Sequence, residues 1–253
     1  AMLFWLKRGV DGFRCDMACE VPLTFWEQTI EVLKGERPDL FMLAEGEEPL
    51  LQSQCGFHSS YSWELHHMMN AIAQGKQGID DLVAYINKDT ERHPQGAYRL
   101  MFTSNHDENS WAGTEFERMG NSVPLWSAFC YVVPGMPMIY TGQLSGNHHR
   151  LEFFEKDLID TNPEYAQADL YKQLNQLRAD NKALHSPEQG APMMRIAADN
   201  EHIFACVRHA EGKWCDNTVI AVMNMSGAEQ TVTLDLTGYE GKYDCICGKK
   251  ITL

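Results

Sequence analysis

The sequence predicts an α/β fold, a parallel sheet wrapped by helices with a small antiparallel β domain after it. Three observations predict it. Short apolar runs alternate with helical stretches through the first two thirds of the chain, and the pattern changes after Leu184 to closely spaced strand-like runs. Three of the early apolar runs also end in an acid, at Asp16, Glu45 and Asp107. Repeated strand-then-helix order is the signature of parallel pairing through crossover helices.

Taken in order, Gly9 to Asp16 (GVDGFRCD) reads as a strand, and Leu23 to Lys34 as a helix that Gly35 closes. Leu40 to Glu45 is a second strand, Cys55 to Tyr61 a third, and Trp63 to Ala73 a helix. Tyr98 to Asn105 is a fourth strand, Val123 to Val133 a helix, Met136 to Thr141 a fifth strand and Ala166 to Lys182 a long helix. Beyond it, Met193 to Ile196, His202 to Arg208, Thr218 to Met223, Thr231 to Leu236 and Tyr243 to Cys247 are strands. Gly212, Asn217, Gly227, Gly238 and Gly241 punctuate them and no helical stretch intervenes.

The chain has 253 residues with 44% apolar and 22% charged, enough to bury a core. Its 21 Lys and Arg against 35 Asp and Glu leave a net charge of −14, which argues against a nucleic-acid or anionic-membrane partner. The most apolar stretch, Ser127 to Tyr140, is broken by Pro134, Gly135 and Pro137, so no membrane span is expected. AMLFWLKRGVDGF lacks the features of a signal peptide and reads as the last turns of an amphipathic helix entering a strand. The eight cysteines form no C-x-x-C pair, which disfavours zinc, and reduced thiols in a reducing compartment are expected. Cys15 and Cys130 lie in apolar runs, where a thiol behaves as a small hydrophobe.

Acids that follow successive parallel strands converge at one end of a β/α sheet, where β/α barrels carry their active sites. Period two puts Gly12, Arg14 and Asp16 on one face of their strand and Phe13 and Cys15 on the other. An Arg two residues from an Asp holds it ionised, which suits a nucleophile. Each acid alone could be a helix cap or a loop carboxylate. Three at strand ends, one inside Asn105-His106-Asp107, point to catalysis. Trp111, Trp63, Tyr61 and Phe57 are candidate sugar platforms, Trp111 foremost because it lies four residues after Asp107; Tyr61 and Trp63 could equally be core or helix-start residues. His66-His67 and His148-His149 read as solvated surface histidines, since adjacent side chains point apart.

At these residues the sequence resembles the α-amylase superfamily, glycoside hydrolase family 13. GFRCDMA, FMLAEG and FTSNHD resemble the three later regions of that family in order and separation, PGMPMIYTGQ resembles its final barrel strand, and LEFFEKDLID continues in its manner. The resemblance implies strands four to eight of a TIM (β/α)8 barrel over residues 1–184 and a C-terminal β-sandwich over 185–253. It implies that Asp16 is the nucleophile, Glu45 the general acid/base and Asp107 the third acid that grips the sugar ring. Arg14 would orient the nucleophile, and His106, with Asn105 and Trp111, would bind the sugar. The substrate implied is an α-1,4-glucan, a neutral polymer that a charge of −14 does not repel. Transglycosylation, a cyclomaltodextrinase or pullulanase type of specificity, and a non-catalytic glycan-binding role are the alternatives.

The family's Asp-rich first region, ending in Asn-His, is absent, and Glu20 stands where the family has a calcium-linked His four residues after the nucleophile. No metal or cofactor is therefore expected. By the resemblance the chain starts in the third helix of the barrel, so its sheet should have two open edges. It should self-associate through them or join an N-terminal part, and alone it should bind sugar weakly with little hydrolysis.

Overall fold

A computed structural model describes residues 1–186, 190–211, 217–246 and 248–253. Its centre is a five-stranded sheet, all parallel, in the order β1 (Gly12–Cys15), β2 (Phe41–Ala44), β3 (Ser59–Tyr61), β4 (Tyr98–Met101) and β5 (Met136–Pro137). Sequential strands are neighbours throughout, so each acid-bearing strand end faces the same way.

The helices that make the crossovers are α1 (Met2–Leu6) before the sheet, α2 (Leu23–Glu36), α3 (Pro49–Ser53), α4 (Trp63–Ala73), α5 (Ile79–Arg92), α6 (Glu115–Met119), α7 (Val123–Val132) and α8 (Ala168–Asp180). In α2, Trp26, Ile30 and Leu33 recur at helical spacing and are buried against Cys15, Met42 and Ala44. Gly35 does not close this helix: it lies in the last turn, and Arg37 in extended conformation ends it. Helix α5 was not expected, although Ile79, Leu82, Val83 and Ile86 recur at i, i+3, i+4 and i+7. Asp81 caps it by accepting from the Gly78 amide at 2.9 Å. Its polar outer face (Asp80, Asn87, Lys88, Asp89) obscured that stripe in the sequence.

Strand alternation divides the sheet's two faces. Cys15, Met42 and Ala44 pack outward beneath α2, with Phe13 against the same core, while Leu43, Tyr61, Leu100 and Phe102 form an inner cluster with Phe41, Met136 and Met138. Gly12 lets β1 and β2 approach, for a Cβ there would overlap the Phe41 carbonyl. The third and fifth strands are shorter than expected: Cys55 to His58 is a loop, and only Met136 and Pro137 pair with β4.

After the short 3-10 turn Lys182–Leu184, strands β6 (Met193–Ile196), β7 (Ile203–Ala210) and β8 (Asn217–Asn224) make an antiparallel sheet. One face, Phe204, Cys206 and Met223, enters the core formed by α4, α5 and α7, with Phe204 edge-on to Phe129 at 5.5 Å. The other packs Ile203, Ala205 and Val207 under Val232, Leu234 and Leu236. The expected strand over Thr231 to Leu236 is a covering segment, bridged at Ala198–Leu234 and held by the Thr233 amide donating to Asp199 Oδ1 at 2.7 Å and Asn200 Nδ2 donating to the Thr231 carbonyl at 3.1 Å. β9 (Lys242–Asp244) and β10 (Lys250–Thr252) pair separately; of the expected strand Tyr243 to Cys247, Cys247 lies outside the described residues, as do Gly212 and Cys215.

Arg208, 1% exposed, pins the two parts together by donating to the Val132 and Ala191 carbonyls at 2.8 and 2.6 Å. Cys15, Cys19, Cys55, Cys130 and Cys206 are free thiols, and burial pushes the Cys15 thiol up to about 11. Among the described residues no helix is long and apolar enough to cross a membrane.

Candidate active site

The C-terminal ends of β1 and β2 bring two carboxylates onto one cation. Arg14 Nη1 donates to Asp16 Oδ1 at 2.6 Å, and Nη2 lies 3.2 Å from Glu45 Oε1. Tyr61, at the end of β3, accepts from Arg14 Nε at 3.2 Å and carries the guanidinium over its ring at 5.4 Å. Burial opposes the Arg14 charge, but the hydrogen bonds to Tyr61 and Asp16 and the Glu45 charge outweigh it and raise its pKa. A fixed cation between two acids limits their separation to the span of one guanidinium.

The backbone completes the pair. Met17 sits in the left-handed region, φ 44° and ψ 43°, the one non-glycine with positive φ among the described residues. That conformation costs an L-residue roughly 1–2 kcal/mol. It turns the Met17 amide onto Glu45 Oε2 at 2.7 Å, while the Ala18 amide donates to the Glu45 carbonyl at 3.0 Å. Glu45 is 8% exposed, and the Asp16 side chain is 76% exposed. One acid is enclosed and the other stands free, both braced by the same strand ends.

The segment after β4 is built differently. Asn105, 1% exposed, accepts the Asp107 and Glu108 amides at 3.0 and 2.8 Å and so starts a single π-helical turn, Glu108–Ala112. Asn105 therefore stands behind Asp107 and sets its direction. His106, half exposed, has Nε2 at 3.4 Å from Asp107 Oδ2. No ion pair joins Asp107 to Arg14, Asp16 or Glu45 among the described residues. Burial and the nearby Asp107 charge raise the Tyr140 phenol, which marks Tyr140 as a neighbour that the sequence did not single out.

Two buried clusters underlie that turn. His66 is fully enclosed, correcting its reading as a surface histidine; Nε2 lies 2.8 Å from Glu108 Oε2 and Nδ1 lies 3.2 Å from the Phe102 carbonyl. Burial holds the His66 pKa below its ordinary value. Burial also works against Glu108's charge, but His66 and Arg118 outweigh it and lower its pKa. Glu115 accepts from Thr103, Gln143 and Gln167 at 2.7, 2.7 and 2.8 Å, and its burial raises it. The signal for this buried acid was the pattern Thr114-x-x-Glu117, a capping box that fixes Glu115 in the first turn of α6.

The aromatic candidates separate. Phe57, 3% exposed and edge-on to Trp26 at 5.2 Å, is core, and Tyr61 is buried under Arg14. Trp63 is half-buried against Phe102 at 5.2 Å. Trp111 is 61% exposed on the π-helical turn. His67 and His148 are exposed and His149 is half-buried, the last two paired with Asp160 and Asp157 at 3.6 and 2.7 Å. Glu20 is exposed at the end of a 3-10 turn, and no group of three or more His, Cys, Asp or Glu able to hold a metal occurs among the described residues.

Positions 1–189 match the family model of the alpha amylase catalytic domain, and the chain belongs to that family. It is 25% identical over 231 residues to the alpha-amylase MalA of Haloarcula japonica, covering 89% of this chain and 33% of that protein. It is 24% identical over 262 residues to a cyclomaltodextrinase of Thermoanaerobacter pseudethanolicus, covering 98% of this chain and 43% of that protein. The fold is shared with a maltogenic alpha-amylase, AmyB, from Thermotoga neapolitana, at a TM-score of 0.80 and 22% identity over 99% of this chain and 58% of the other. The chain thus spans a third to two fifths of the length of these two curated relatives.

Proposed function

We propose that this member of the family carries the acid pair of a retaining glycoside hydrolase for α-1,4-glucans. The observation that carries the reading is Arg14 bridging Asp16 and Glu45 from the ends of adjacent parallel strands. Retaining hydrolysis uses a nucleophile and an acid/base about 5–5.5 Å apart, a separation that two acids on one guanidinium suit.

In this reading Asp16, exposed and ion-paired, attacks the anomeric carbon. Glu45, enclosed beside it, gives its proton to the departing glycosidic oxygen. The result is a glycosyl ester on Asp16 and a released sugar hydroxyl. Glu45, now a carboxylate, takes a proton from water, which attacks the same carbon and frees Asp16. Asp107 and His106 hold ring hydroxyls, aimed by Asn105, and Arg14 orients Asp16. The mechanism needs no cofactor. When an acceptor sugar replaces water in the second step, the outcome is transfer.

The division into barrel residues 1–184 and β-domain residues 185–253 is part of the proposal, as is the need for pairing. Among the described residues β1 pairs only with β2 and β5 only with β4, leaving two parallel edges open. Strands from another segment or a second copy would fill them. Turnover that rises faster than in proportion to chain concentration supports self-association.

The decisive experiment uses α-maltosyl fluoride, whose fluoride leaves without a proton. Glu45→Gln should accumulate a maltosyl ester on Asp16, visible by intact mass, and Asp16→Asn should form none. An Asp16→Asn chain that reacts as fast as the unmutated chain overturns the reading. Products longer than the substrate from maltoheptaose would mark transfer.

A further inference from the structure

Behind the third acid lies a buried carboxylate that the proposed mechanism does not use. Glu115, the first residue of α6, is 3% exposed, and no ion pair engages it among the described residues. Neutral donors fill its oxygens instead. Oε2 accepts from Thr103 Oγ1 and Gln143 Nε2, both at 2.7 Å, and Oε1 accepts from Gln167 Nε2 at 2.8 Å. Gln143 Nε2 also donates to Thr103 Oγ1 at 2.8 Å, so these side chains form one buried set.

The three donors come from three connections: Thr103 follows β4, Gln143 follows β5, and Gln167 immediately precedes α8. Thr103 and Glu115 are 12 positions apart, and the segment between them holds Asn105, His106, Asp107 and the π-helical turn. The bond between their side chains closes that loop at its base. Arg118 tightens the closure by donating to the Thr103 and Gly113 carbonyls, each at 2.8 Å. A second line runs through Gln143, whose Oε1 accepts the Tyr140 amide at 2.5 Å, and the Tyr140 phenol senses the Asp107 charge. A carboxylate sunk without an ion pair is costly, but a fully bonded polar set fixes one geometry.

We propose that Glu115 is a positioning residue for Asp107, fastening the loop that carries it to the connections after β5 and before α8. The inference rests on the glycosidase reading and adds to it a residue remote from the sugar. In that reading Asp107 acts on the sugar ring in the transition state, whatever group departs. A loosened Asp107 should therefore slow transfer from every donor alike and leave ground-state binding largely unchanged.

The test uses the full chain. Glu115→Gln removes one acceptor, so deuterium uptake over residues 104–109, where Asn105 holds two amides, should rise severalfold while uptake over β6 to β8 stays the same. Maltoheptaose hydrolysis and fluoride release from α-maltosyl fluoride should both fall about tenfold in kcat, with KM within about twofold. In an Asp107→Asn background the same substitution should cost nothing further, because the residue it positions is already gone. Combining Glu115→Gln with Gln167→Glu exchanges acid and amide across the 2.8 Å bond and should restore uptake and kcat. Thr103→Val deletes one donor and should move the same readouts less far in the same direction; it carries the test where Glu115→Gln does not fold. Unchanged uptake over 104–109 overturns the positioning role, while ester formation on Asp16 still supports the glycosidase reading. An equal loss in the Asp107→Asn background also overturns it and assigns Glu115 to general stability. No fluoride release from the unmutated chain, with uptake still raised by Glu115→Gln, removes the glycosidase reading and leaves Glu115 holding the Asp107 loop.

Discussion

The two ends of the parallel sheet differ in the quality that decides function. The N-terminal end has a hollow of about 780 Å³, bounded by Gln52, His58, Tyr98, Arg178 and His185. Beside it Arg99 pairs with Asp89 at 2.8 Å and also reaches His93 and Ser60, and Arg178 donates to the Gly135 carbonyl at 2.9 Å. The C-terminal end holds two carboxylates on one guanidinium and a third acid on a braced turn. The difference teaches that a hollow by itself does not gather acids in this fold. Strand direction does, because side chains that follow parallel strands gather at one end only.

Substitutions at the two ends should therefore separate cleanly. The largest effect is expected from Glu45→Gln, which should lower maltoheptaose hydrolysis about 10²–10⁴-fold relative to the unmutated chain at equal concentration, since it removes proton transfer to the leaving oxygen. An equal loss from Arg178→Gln would erase the distinction between the ends. Arg14→Lys comes next. It keeps one charge but loses the fork that spans both acids, and turnover should fall about tenfold or more in kcat with KM little changed.

At the opposite end the expected effects concern stability and are smaller. Burial and the neighbouring Arg99 hold His93 down to about 4, so it is neutral in the folded chain where an unfolded histidine would take a proton. A depressed pKa gives stability that is present above about 6.5 and is lost as pH falls toward 4. Urea midpoints taken across that window should decline, and His93→Gln should flatten the decline; a parallel decline in the variant would place the sensitivity elsewhere. The smallest effect is that of Arg178→Gln, which should cost about 1 kcal/mol by denaturant unfolding, chiefly for the lost hydrogen bond to the Gly135 carbonyl, and leave turnover unchanged.

What was legible in the sequence follows from what local pattern encodes. Helix α4 lies where its apolar spacing puts it, and Arg14, Asp16 and Glu45 meet because period two and parallel order together determine where strand ends point. Asn105, by contrast, looked like a ligand and is buried behind Asp107, because capping a π-helical turn leaves no periodic mark. His66 looked solvated, yet its partners are the Phe102 carbonyl and Glu108, the latter 42 positions on, and such pairing is invisible to neighbouring residues. Thr231 to Leu236 alternates as a strand should, but the sheet offers it only one bridge, so burial beneath it replaced pairing.

Met17 sets a conflict between robustness and chemistry. A glycine there would relieve roughly 1–2 kcal/mol of left-handed strain, offset in part by the greater freedom of glycine in the unfolded chain. The same change would loosen the amide that grips Glu45 at 2.7 Å. Selection for thermal endurance and selection for turnover would thus pull this one position in opposite directions. Variants that gain melting temperature at residue 17 should be the ones in which the enclosed acid is least well held.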